Sequence, residues 1–117
     1  MSSNPPTQNW YPQRGKVYLV QLDKLRPAIV LSVDSINRHA RNVCVVGTTT
    51  VEHQRFSMRV PIQAGDGGFD SDCWAKCDQV TTLEKSRLQQ NPIGTLSLEK
   101  FKMIEEQVRI CLGLRVI

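Results

Sequence analysis

Arg26 stands directly before Pro27 at the head of an apolar run, RPAIVLSV, and a second apolar run, VCVVGTTT, ends in the hydroxyls of Thr48, Thr49 and Thr50. A guanidinium is a permanent positive charge whose planar fork of N–H donors fits two oxygens of one anion, and neighbouring hydroxyls add further donors. Phosphate is the obvious ligand for such a set. The groups meet only if the two β-branched runs pair antiparallel, because the start of the first then lies beside the end of the second. Between them, SINRHARN reads as a solvated hairpin connection. It carries Arg38, His39 and Arg41, which with Lys24 and Thr50 are candidates for contacting a nucleic-acid backbone.

The elements that must hold this pair are mostly strands. KVYLVQL after Gly15 is a first strand, and LDKLRP connects it to the second, where Pro27 is tolerated at the strand entrance. Phe56, Met58, Val60 and Ile62 alternate with Ser57, Arg59 and Pro61, the pattern of a half-buried strand with Pro61 marking an edge or bulge. QAGDGGFDSD is a loop, since three glycines and three aspartates leave little to bury. DCWAKCDQVTTL gives one or two short strands, with Trp74 facing the core or a dimer surface, and TLEKSRL offers helical turns capped by Thr82. IGTLS is a brief extended piece.

The last element is a helix. Ser97 is its N-cap, Glu99 sits in its first turn and Gly113 occupies its left-handed C-cap. Leu98, Phe101, Ile104, Val108, Cys111 and Leu112 make its apolar stripe. Strands followed by one terminal helix imply a mainly β fold, a small, strongly curved antiparallel barrel with the helix packed on it.

At 117 residues the chain forms one domain with one modest core. Residues 1–13 read as a flexible leader whose Trp10 and Tyr11 pack on the body, and 14–117 as the domain. Fifteen Lys or Arg against eleven Asp or Glu give a net charge of +4, which favours an acidic partner. The apolar runs are too short to span a bilayer and the polar N-terminus has no signal-peptide core, so a cytoplasmic protein without a membrane partner is expected. Cys44, Cys73, Cys77 and Cys111 lack a paired metal-ligand spacing and read as buried thiols, with no metal or cofactor expected.

From Arg14 to Leu114 the chain resembles the PemK/MazF-like toxins, the toxin half of type II toxin–antitoxin pairs. The likeness runs through RGKVYLVQL, RPAIVLSVDSINR, VVGTTT, DQVTTLEKSRL and GTLSLEKFKMIEEQVRICLGL. It implies an SH3-like, PemK-like homodimeric barrel and metal-independent cleavage of single-stranded RNA to 2′,3′-cyclic phosphate and 5′-hydroxyl ends, restrained by a cognate antitoxin. By motif, the catalytic arginine is Arg26 and the catalytic threonine Thr49, with Thr48 the alternative one residue away. Gln79 and Arg87 match polar support or interface positions, while Asp34 and Asn37 match residues that hold the turn backbone. Only Asp23, Lys24 and Leu25 separate the first strand from Arg26, where many relatives have a longer segment with glycines and an acidic residue. Other readings are a toxin-like protein that binds a protein partner such as DNA gyrase, and an RNA-binding protein without cleavage.

Overall fold

The computed structural model describes residues 10–51 and 58–115. Six strands, β1 (Lys16–Gln21), β2 (Leu25–Val30), β3 (Asn42–Thr49), β4 (Arg59–Ile62), β5 (Cys73–Glu84) and β6 (Gly94–Thr95), form one antiparallel sheet in the order β4-β5-β3-β2-β1-β6. A short helix, α1 (Asp34–His39), links β2 to β3, and α2 (Leu98–Leu112) follows β6. The sheet curls into a half-barrel with the terminal helix against it, the mainly β class expected from the strand pattern. Among the described residues no helix is long and apolar enough to cross a membrane.

Both faces of the sheet are covered, which is why β1, β2 and β3 are apolar at nearly every position rather than at alternate ones. Val17, Ile29, Val46, Ala75 and Cys77 face one side, where Phe101 and Ile104 of α2 join them. Tyr18, Val20, Ala28, Val30, Val43 and Val45 face the other, with Leu83 and Leu88. Trp10 packs against this second cluster, edge-on to Tyr18 at 6.3 Å, and its indole N–H donates to the Gln90 carbonyl at 3.0 Å.

The two edge strands, β4 and β6, are not laddered to each other. The loop after β4 closes the gap instead, with backbone on backbone. A Cβ on Gly68 would stand 2.1 Å from the Ile93 carbonyl oxygen, and one on Gly94 would stand 2.4 Å from Gly67. Only hydrogen fits at either position. Asp66 fastens the same loop to α2, its carboxylate accepting from the Ser97 amide and hydroxyl, each at 2.8 Å. The Ser97 hydroxyl in turn accepts from the Lys100 amide, so it caps α2 as expected, and Gly113 ends the helix at φ 69°.

Four expectations are corrected. The connection between β2 and β3 is not a plain loop: Asn37 is fully buried and bonded to Ser32, which folds the segment into α1. Thr82 caps nothing, because β5 continues through it to Glu84 and the turn that follows, Lys85–Arg87, is a single 3-10 turn. Leu98 and Leu112 lie outside the buried stripe of α2 and are exposed, at the two helix ends where the sheet no longer reaches them. The glycine-rich loop buries Phe69 and Gly67, the price of closing the half-barrel. Phe56, assigned to the strand before Pro61, lies outside the described residues, while Pro61 is indeed on an edge strand.

Candidate active site

β2 and β3 pair antiparallel, with Ala28 opposite Gly47 at the last paired position, and beyond it Arg26 at the start of β2 and Thr49 at the end of β3 line one groove. Arg26 shares the face of Ala28 and Val30, so its stem leaves the second cluster at the open end of the sheet. There it borders a small pocket, walled by Val20, Leu22, Pro27 and Val45, and a wide groove of about 760 Å³. Thr48, Thr49, Thr50 and Val51 form one side of the groove; Phe69, Asp70 and Ser71 from the closing loop form another.

Arg26 is held from the tight β1–β2 turn. Its Nε and Nη2 donate to the two carboxylate oxygens of Asp23 at 2.9 and 3.0 Å, a fork-on-fork contact three residues apart. The guanidinium holds the Asp23 carboxyl well below the usual carboxylate range, and Asp23 raises Arg26 further in return. Arg26 therefore stays a cation at every physiological pH and is no proton acceptor. Both side chains face solvent.

The two candidate threonines differ in what they touch. The Thr49 hydroxyl accepts from the Val51 amide at 3.1 Å, which leaves its own proton free to be donated. Thr48 has the opposite strand parity, with Val46, and lines the groove together with Cys73, whose thiol burial pushes up.

The remaining sequence candidates scatter. Thr50 lines the groove and Gln79 the small pocket. Lys24 is exposed at the β1–β2 turn, its carbonyl accepting from the Leu22 amide. Arg38, His39 and Arg41 are at the other end of β3 from Thr49, about 25 Å away along an eight-residue strand. There Arg38 lies over the Tyr11 ring and Arg41 stands 3.5 Å from Glu84. Arg87 reaches the Gln21 carbonyl at 3.5 Å, a support to the β1 end. Trp74, opposite Thr49 and Pro61, is half-buried on the face away from Cys73 and Ala75, and so is not in the core.

Two residues next to the candidate site went unmarked in the sequence. Asp23 sits at the three-residue spacing from Arg26 that a tight turn makes a contact. Lys76 alternates with the buried Cys73, Ala75 and Cys77, which sets it on the opposite face; it borders both the pocket and the groove.

Residues 13–112 match the family described as PemK-like, MazF-like toxin of type II toxin–antitoxin system. The chain belongs to this family. Among relatives of the PemK/MazF-like chain, the Endoribonuclease MazF of Staphylococcus saprophyticus is 28% identical over 114 residues, covering 90% of this chain and 94% of that one. A mycobacterial endoribonuclease solved in complex with its cognate antitoxin superimposes with a TM-score of 0.78 at 25% identity, covering 91% and 99% of the two chains. The Mycobacterium tuberculosis toxin MazF-mt6 gives 0.77 at 26% identity, with 86% and 99% covered. In this PemK/MazF-like chain a three-residue turn between β1 and β2 puts Asp23 on Arg26.

Proposed function

We propose that this toxin cleaves single-stranded RNA in the groove between Arg26 and Thr49, acting as a homodimer and restrained by an antitoxin whose acidic or apolar tail covers the groove. The observation that supports the reading is that a fixed cation, Arg26, and the hydroxyl of Thr49 line one open groove. In the reaction the substrate's own 2′-hydroxyl attacks the adjacent phosphorus and gives up its proton to water, the bond to the 5′-oxygen breaks, and that oxygen takes a proton from water to leave as a 5′-hydroxyl. The other product carries a 2′,3′-cyclic phosphate. Negative charge builds on the non-bridging oxygens as the phosphorus becomes five-coordinate. Arg26 neutralises it with paired N–H donors once Asp23 has given way, and the Thr49 proton adds a third donor.

Exchange of Asp23 for phosphate is easy because an exposed ion pair is weakly held. Thr49 is favoured over Thr48 because its hydroxyl accepts from the Val51 amide, which fixes the oxygen and leaves its proton to be donated. Losing one oriented donor costs roughly 3 kcal/mol, about a hundredfold in rate. Single-turnover cleavage of a long mixed-sequence RNA by T49V and T48V tests the assignment. T49V is expected to fall about a hundredfold and T48V to stay within about threefold of the parent. The reverse order would transfer the donor role to Thr48, and equal rates in all three would remove threonine from the reaction.

A further inference from the structure

The pairing of β5 with β3 breaks in the middle. Val46 faces Val80 and Thr48 faces Ala75, so two steps along β3 correspond to five along β5, and Lys76 to Gln79 bulge out of the ladder. The bulge rises beside Gly47, whose missing side chain leaves space that Lys76 fills: a Cβ there would lie 3.4 Å from Lys76 Cε and 3.7 Å from Nζ. The lysine stem thus lies against β3 at Gly47, and Lys76 borders both pocket and groove, where Thr48 and Arg26 are the other shared polar residues. Among the described residues no carboxylate lies within 4.0 Å of it. Arg26, by contrast, has its charge offset by Asp23. Among the described residues that line the groove, Lys76 is therefore the cation without a carboxylate partner.

We infer that Lys76 is a second anion subsite, taking the phosphodiester next to the one that Arg26 holds. This rests on the RNA-cleaving reading of the groove. Lys76 captures the backbone on arrival, and the neighbouring phosphate then displaces Asp23 from Arg26. A lysine suits the first task, since its ammonium is a mobile point charge that accepts any phosphate orientation, while the planar fork of Arg26 suits the reacting one.

Each phosphate neutralised on a single strand lowers the magnitude of the salt slope, d log K/d log [salt], by about 0.7 when lost, which is about fivefold in affinity at roughly 0.1 M salt. The test measures binding of a mixed-sequence 2′-O-methyl RNA, which lacks the attacking hydroxyl, by fluorescence anisotropy across a salt series. K76M keeps the apolar stem, and K76R restores a cation; K76Q replaces K76M if the latter fails to fold by circular dichroism. We expect K76M to bind about fivefold more weakly with a salt slope shallower by about 0.7, and K76R to recover the slope of the parent. A folded K76M with the parent's affinity and slope would overturn the subsite while leaving the cleavage reading intact. A parent protein that neither binds this RNA nor cuts the natural one would overturn both.

Discussion

Among single residues, Asp23 has the most direct hold on Arg26. The carboxylate occupies the Nε–Nη2 edge of the guanidinium, an edge shaped equally well for two phosphate oxygens. Asp23 is then a competitor for the substrate's place, and D23N should lower KM for RNA by roughly threefold with kcat unchanged. A fall in kcat instead would make Asp23 a support for Arg26 in the transition state. The pair also has a definite pH range. Because Arg26 depresses the Asp23 carboxyl, the contact is fully present above the ordinary aspartate value of about 4 and is lost only as pH falls through the lower folded value. Acidification from pH 8 to 5 should therefore leave RNA affinity insensitive to Asp23. That Arg26 and Thr49 line one groove was legible in the sequence, because antiparallel pairing of two neighbouring runs brings the start of the first near the end of the second. The place of Lys76 beside β3 was not, since it depends on a bulge and on the vacancy at Gly47, neither of which leaves a mark on the period-two pattern.

At the scale of elements, β5 is the strand that serves both core and groove. Cys77 on its inner face is fully buried, and burial first, then the nearby Cys111, pushes its thiol up to about 12. A raised thiol adds stability below its unfolded pKa of about 8.5, and that contribution is lost as pH rises toward the folded value. The urea midpoint of the parent should thus decline between about pH 9 and 11, and more shallowly in C77A, which is weaker at neutral pH because of the cavity it leaves. Equal slopes would show that Cys77 is not the buried thiol responsible. The boundaries of β5 and α1 escaped sequence reading for opposite reasons. The threonines at 81 and 82 suit a strand or a cap equally, and burial of Leu83 decides for the strand. The polar SINRHARN segment folds into α1 because one asparagine, Asn37, is buried with its amide satisfied by Ser32, a tertiary fact that composition hides. The α2 caps, by contrast, are local chemistry and were read directly.

At the scale of the whole molecule, the half-barrel is shut by a glycine contact rather than by a final ladder, and this contact also shapes the groove, since Gly68 and Phe69 line it. G68A places a methyl against the Ile93 carbonyl at a backbone φ of +83°. It should cost about 2–4 kcal/mol and lower Tm by more than about 10 °C. A thermal scan showing less than about 3 °C would mean that the loop shifts freely and does not close the sheet. The mainly β character and the terminal helix follow from hydrophobic pattern; this closure does not, because a glycine in a sequence announces freedom and not the neighbour that requires it. The central claim is that the groove at Arg26 breaks RNA by internal transesterification. Its most direct test incubates the protein and R26A with a long mixed-sequence RNA in EDTA and maps the fragment ends. Recurrent cuts bearing 2′,3′-cyclic phosphate and 5′-hydroxyl ends, absent with R26A, are the predicted result; intact RNA from the folded parent, or equal cutting by R26A, would contradict it.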